Sequence, residues 1–180
     1  MSTTVCRIDR LYHYQFQLDP EKLEAIVEQG LQPLSVFRDS PRWLEIQQSQ
    51  PDFFERLYDS IAAPVLSHPY ANSGVFLTPI DFRLLPGTYL HDKPRFVVPL
   101  ERLDPEWTVI TYVLNNQRVS LPLTPYNLQA VADLWDESLV REWFAKDQTK
   151  VFFYVPQVAA YQPGGIPVTA ADLERVDEPA

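Results

Sequence analysis

The sequence predicts an α+β fold: one domain over residues 1–180, built on a split, largely antiparallel sheet of about six strands with flanking helices. Three observations carry this. A chain of 180 residues with 46% hydrophobic and 13% aromatic content can enclose one substantial core. Runs rich in β-branched and aromatic residues alternate with amphipathic helical stretches, but without the regular strand–helix–strand series of a parallel sheet. Two of those runs flank Asn115-Asn116, a pair suited to a tight hairpin turn, which demands antiparallel neighbours.

The elements follow in order. RLYHYQF, Arg10 to Phe16, reads as the first strand. A helix runs from Pro20 to Gln29, with Leu23, Ile26 and Val27 on one face and Gly30 just past its end. Helical patterns follow from Pro41 to about Gln48 and from Pro51 to about Ala62. GVFLT, RFVVPL, TVITYVL and RVSLPL read as strands, the last two forming the hairpin. Helices are expected from Pro125 to about Asp133 and from Glu137 to about Lys146, then a strand in KVFFYV and a short closing helix from Ala170.

The 17 prolines are dispersed, and many stand where a helix would begin. Asp19-Pro20, Ser40-Pro41, Thr78-Pro79, Thr124-Pro125 and Thr169-Ala170 each put an oxygen-bearing cap before a residue suited to the first helical position. FLTPIDF, PLTPYNL and PVTAADL share this grammar, yet the residues around them do not recur. They mark helix starts rather than an internal repeat.

Charge and composition exclude several classes. A formal net charge of −9 without any Lys/Arg cluster disfavours nucleic acid and anionic membrane as partners. Only Arg83, Lys93 and Arg95 lie close enough in sequence to suggest a local basic patch. MSTTVCRIDR lacks the apolar run of a signal peptide, and no stretch approaches the roughly 18 apolar residues of a membrane helix, so a cytoplasmic protein is expected. The single cysteine, Cys6, permits no internal disulfide, and His13, His68 and His91 lack ligand spacing, so no metal is expected. There is no Gly-x-Ser-x-Gly elbow and no glycine-rich phosphate loop. His91-Asp92-Lys93-Pro94-Arg95 offers acid, base and cation in five residues, and reads as a solvated loop.

His13 is the group that most invites a functional reading. In a strand, Tyr12, Tyr14 and Phe16 share one face, and Leu11, His13 and Gln15 the other. The imidazole therefore points away from the tyrosines. It is either a hydrogen-bonded histidine on a half-exposed sheet or a ligand-touching group in a polar groove with Gln15 and Gln17.

LYHY, then KLEAIVEQGLQPLS, then SGVFLT occur in this order, and the order resembles that of the ADP-ribosyltransferase superfamily. The resemblance implies an ADP-ribosyltransferase-like split sheet and a cleft that holds nicotinamide adenine dinucleotide (NAD). His13 would bond the adenosine ribose. Tyr89, fifteen residues beyond Gly74, would stack on nicotinamide. The family also carries a glutamate at the start of a late strand, where it stabilises an oxocarbenium-like transition state. Here Gln148-Thr149-Lys150 precedes VFFYV, so lysine stands in that place, and a cation opposes the developing positive charge. Asp147 is the nearest carboxylate. Tyr14 and Gln15 also replace small residues of the family pattern. Two readings follow: an ADP-ribosyltransferase-like domain with an NAD cleft and a degenerate catalytic centre, or a non-catalytic module that binds a protein partner or regulates.

Overall fold

Aromatic and β-branched side chains suit the pleated surface of a sheet, and the runs that carry them form its strands. The computed structural model describes residues 7–15, 17–33, 41–49, 62, 65–67, 74–115, 117–134, 136–146 and 157–176. Within these lie β1 (Arg10–Tyr14), β2 (Val75–Leu77), β3 (Arg95–Pro99), β4 (Thr108–Leu114), β5 (Gln117–Pro122), β6 (Gln157–Ala160) and β7 (Leu173–Glu174). They make two sheets, one in the order β1-β3-β7 and one in the order β2-β6-β4-β5. Every ladder in both is antiparallel.

The hairpin is as expected: Leu114 pairs with Gln117, and Asn115 takes φ 51°, a left-handed conformation that asparagine tolerates. The split is equally concrete. The two sheets meet where Tyr12 N–H donates to Thr78 O at 2.7 Å and Thr78 N–H donates to Tyr12 O at 2.9 Å, an isolated bridge between β1 and the end of β2. One core serves both sheets. Leu11, Phe96 and Val98 from the first pack in the same cluster as Val75, Leu77, Ile110 and Val158 from the second. Each such side chain, fully buried, contributes about 1.5–3 kcal/mol.

Helices cover the flanks. In α1 (Pro20–Gln29), Asp19 Oδ1 accepts from Lys22 N–H at 2.8 Å, and Ile26 is buried. The helix stops at Gly30, whose N–H donates to Ile26 O. Next is α2 (Pro41–Ser49). In α3 (Pro125–Val131), Thr124 Oγ1 accepts from Asn127 N–H at 3.0 Å, and Leu128 and Val131 face inward. A single 3₁₀ turn, Ala132–Leu134, follows before α4 (Glu137–Lys146). The cap on α3 satisfies a donor that has no partner within the helix. Thr124→Ala should therefore lower stability by about 1 kcal/mol, read as a lower urea midpoint with unchanged slope; an unmoved midpoint would refute the role of the cap.

Some expectations need correction. Two of the seven strands among the described residues lie outside the expected runs: β6, where Ala159 and Ala160 carry little strand preference, and β7, whose two residues leave no pattern to read. Thr78-Pro79 does not start a helix. The backbone of Thr78 is committed to the bridge with Tyr12, its Oγ1 accepts from Ile80 N–H, and the following 3₁₀ turn, Phe82–Leu84, is capped by Asp81 instead. The closing helix is one 3₁₀ turn, Ala170–Asp172. Ser40, the helix from Pro51 apart from Ala62, Cys6, Phe16, His68 and the strand KVFFYV lie outside the described residues.

Candidate functional site

The two faces of β1 have different chemistry. Across the β1–β3 ladder, Leu11 pairs with Val98 and His13 with Phe96. Leu11, Phe96 and Val98 are all fully buried, so His13 belongs to the face that builds the core. Beyond the Tyr12–Thr78 bridge the strands part, and the imidazole fills the opening: His13 Nδ1 lies 2.9 Å from Phe76 O of β2. The imidazole thereby ties β1 to a backbone carbonyl of β2 beside the bridge. Burial pushes the imidazole pKa down, as does the nearby Lys22 ammonium, while the bond to Phe76 O acts the other way. His13 is a half-buried, neutral-leaning group at the junction of the sheets. Of its neighbours, Gln15 is buried and Gln17 exposed.

The opposite face carries Tyr12, Tyr14 and, paired with Tyr14, Arg95. The Tyr12 and Tyr14 ring centres are 6.2 Å apart, as expected for side chains sharing a face. Arg95 is only 5% exposed, so its charge must be met from within the protein. Its Nη1 donates to Asp81 Oδ1 at 2.5 Å and to the Tyr14 hydroxyl at 3.0 Å, and its Nε donates to Glu174 Oε2 at 2.8 Å. The guanidinium carbon also lies 4.0 Å from the centre of the Tyr12 ring. Burial works against the Arg95 charge, but the bonds to Asp81 and Tyr14 outweigh it and the net shift is upward. Tyr14 accepts in addition from Phe82 N–H at 2.8 Å, and burial pushes its hydroxyl up to about 12.

Arg83 completes the cluster. Its Nη1 donates to Glu174 Oε2 at 3.2 Å and its Nη2 to Glu174 O at 2.8 Å. The suggested basic patch is thus not one: Arg83 and Arg95 do converge, but on Asp81 and Glu174 rather than on solvent. The loop reading of residues 91–95 needs the same correction, because Arg95 heads a strand and is buried. His91 Nδ1 meets Phe82 O at 3.2 Å, tying the same loop to the 3₁₀ turn.

Tyr89 sits in the turns between that 3₁₀ turn and β3, partly buried against the main core, and burial pushes its hydroxyl up to about 12. The two residues singled out for a ligand are therefore a histidine on the core face of β1 and a tyrosine packed on the core. Asp147, Gln148, Thr149 and Lys150 lie outside the described residues. Among the described residues no group of three or more His, Cys, Asp or Glu is placed to hold a metal ion, and no helix is long and apolar enough to cross a membrane.

Sequence reasoning missed the Arg95–Asp81–Glu174–Tyr14 cluster. One signal was present: an arginine opening RFVVP, a run otherwise made for burial, needs a carboxylate partner. Compared with protein-family models, curated proteins and solved structures, the chain matches none of them.

Proposed function

We infer that the chain is an ADP-ribosyltransferase-like domain that binds NAD at the split between its two sheets and is catalytically degenerate. The observation that carries this reading is the placement of His13 beside the bridge where β1 and β2 part. This is where the resemblance of LYHY and SGVFLT to that superfamily puts a ribose-binding histidine. With Nδ1 held by Phe76 O, Nε2 is the nitrogen left to face a ribose hydroxyl. The degeneracy rests on sequence, with Lys150 where an acid would stabilise positive charge.

A thermal-shift titration with NAD tests it. Binding to the folded state alone raises the melting temperature once ligand exceeds its dissociation constant, and His13→Gln and Tyr89→Ala should each shrink the rise. Glycohydrolysis should be weak and should increase in Lys150→Glu. No shift at millimolar NAD would sink the reading.

That result would favour the second reading, a non-catalytic module for a protein partner. The observation on its side is that His13 already has a structural task at Phe76 O and lies on the core face.

A further inference from the structure

The carboxylate of Glu174 is held as a bound anion would be. Two arginines from separate elements, Arg83 of the 3₁₀ turn and Arg95 of β3, reach the same oxygen, Oε2, at 3.2 and 2.8 Å. Glu174 itself rides on β7, whose ladder with β3 is only Arg95↔Glu174 and Phe96↔Leu173. Its side chain is 40% exposed, so solvent and solutes reach it, whereas the Arg95 side chain beneath is 6% exposed.

The fit is incomplete. Both arginines use one oxygen of the carboxylate, and Oε1 is not engaged among the described residues. Arg83 Nε is buried and has no hydrogen-bond partner there. A planar carboxylate offers two oxygens in one plane. A phosphate group offers three or more in a tetrahedron and suits converging guanidinium forks better. The charge available to a phosphate lies with Arg83 rather than with Arg95. Asp81 neutralises Arg95 at 2.5 Å, and the Tyr14 hydroxyl takes another Arg95 donor. Glu174 is the only carboxylate that meets the Arg83 guanidinium among the described residues.

We propose that Arg83 and Arg95 form a phosphate-binding site that the chain's own Glu174 occupies, so that a phosphate-bearing ligand displaces the carboxylate and releases β7 from β3. The site is thereby latched. Ligand affinity is lowered by the effective concentration of the tethered Glu174, and filling the site frees the edge of β3. This stands apart from the NAD reading, because it uses neither His13 nor Tyr89.

Inorganic pyrophosphate is the probe, with binding measured by calorimetry on the full chain. Glu174→Ala removes the latch and should bind pyrophosphate at least about tenfold tighter than the unmodified protein. Glu174→Ala combined with Arg83→Gln should lose that binding, and His13→Gln should leave it unchanged. In the unmodified protein, saturating pyrophosphate should speed amide hydrogen exchange at Leu173 and Glu174. Glu174→Gln, which keeps the side-chain volume, replaces the alanine variant if that one is unstable. Affinity unaltered by loss of the carboxylate, or binding that survives loss of Arg83, would overturn the proposal. Loss of the NAD shift with pyrophosphate binding intact would count against the NAD reading alone.

Discussion

Arg95→Ala is expected to cost about 3 kcal/mol of stability, the low end of what is seen when one partner of a buried ion pair is removed. The low end applies because Glu174 can turn to water, its side chain being 40% exposed. Asp81 cannot do so as freely at 16%. The substitution leaves the Asp81 carboxylate without its counter-ion, takes a donor from the Tyr14 hydroxyl and uncovers the Tyr12 ring. Arg95→Lys keeps the charge but cannot reach Asp81, Tyr14 and Glu174 together, so it should recover only part of the loss. Urea unfolding of both variants measures this. A double-mutant cycle with Asp81→Asn should show coupling of at least about 1 kcal/mol, because the two side chains are in contact. A loss below that figure in Arg95→Ala would mean that the cluster is solvated and holds little of the fold together.

The cluster also shows why part of this protein was legible in its sequence and part was not. Strand and hairpin signals are local: TVITYVL, Asn115 and the two sides of RLYHYQF behave as their own residues dictate. The caps at Asp19 and Thr124 do the same, since each needs only a side-chain oxygen and an N–H three residues on. Thr78 followed the same grammar and failed as a helix start, because a long-range partner, Tyr12, claimed its backbone. Local chemistry sets what a segment can do; where two outcomes are close, tertiary contacts decide.

The polar cluster is long-range by construction. Asp81, Arg95 and Glu174 come from three separated parts of the chain, and β7 is too short to carry a pattern. Alternation along β1 put His13 opposite the tyrosines, as found, but could not say which face would turn to the core. That was settled by β3, whose Phe96 and Val98 are buried on His13's side, while Arg95 takes its partners on the tyrosines' side. A reader of sequence alone could have asked what neutralises an arginine opening RFVVP. Glu174 would not have been the answer.

Gly30→Ala should be the other costly substitution, at about 2–4 kcal/mol, because two penalties coincide at one atom. Gly30 has φ 82° and ψ 175°, a region essentially reserved for glycine. A Cβ there would also lie 2.7 Å from Ile166 O and 3.1 Å from Ile166 C. Those are backbone atoms and cannot swing aside. Ile166 O is moreover the acceptor for Leu31 N–H at 2.8 Å, and Ile166 N–H returns a bond to Leu31 O at 3.0 Å. Making room therefore loosens the bridge that ties the end of α1 to the segment leading into β7. Gly87→Ala is the control, since Gly87 also has a positive φ, 95°, but a Cβ there would meet nothing within 4 Å. It should cost about 1 kcal/mol, from backbone strain alone. The difference between the two variants in thermal or urea melts reports the contact with Ile166 together with the strain particular to the Gly30 backbone. Equal losses would show that the chain relaxes around the added methyl, and that the bridge from Leu31 to Ile166 does not fix where α1 ends.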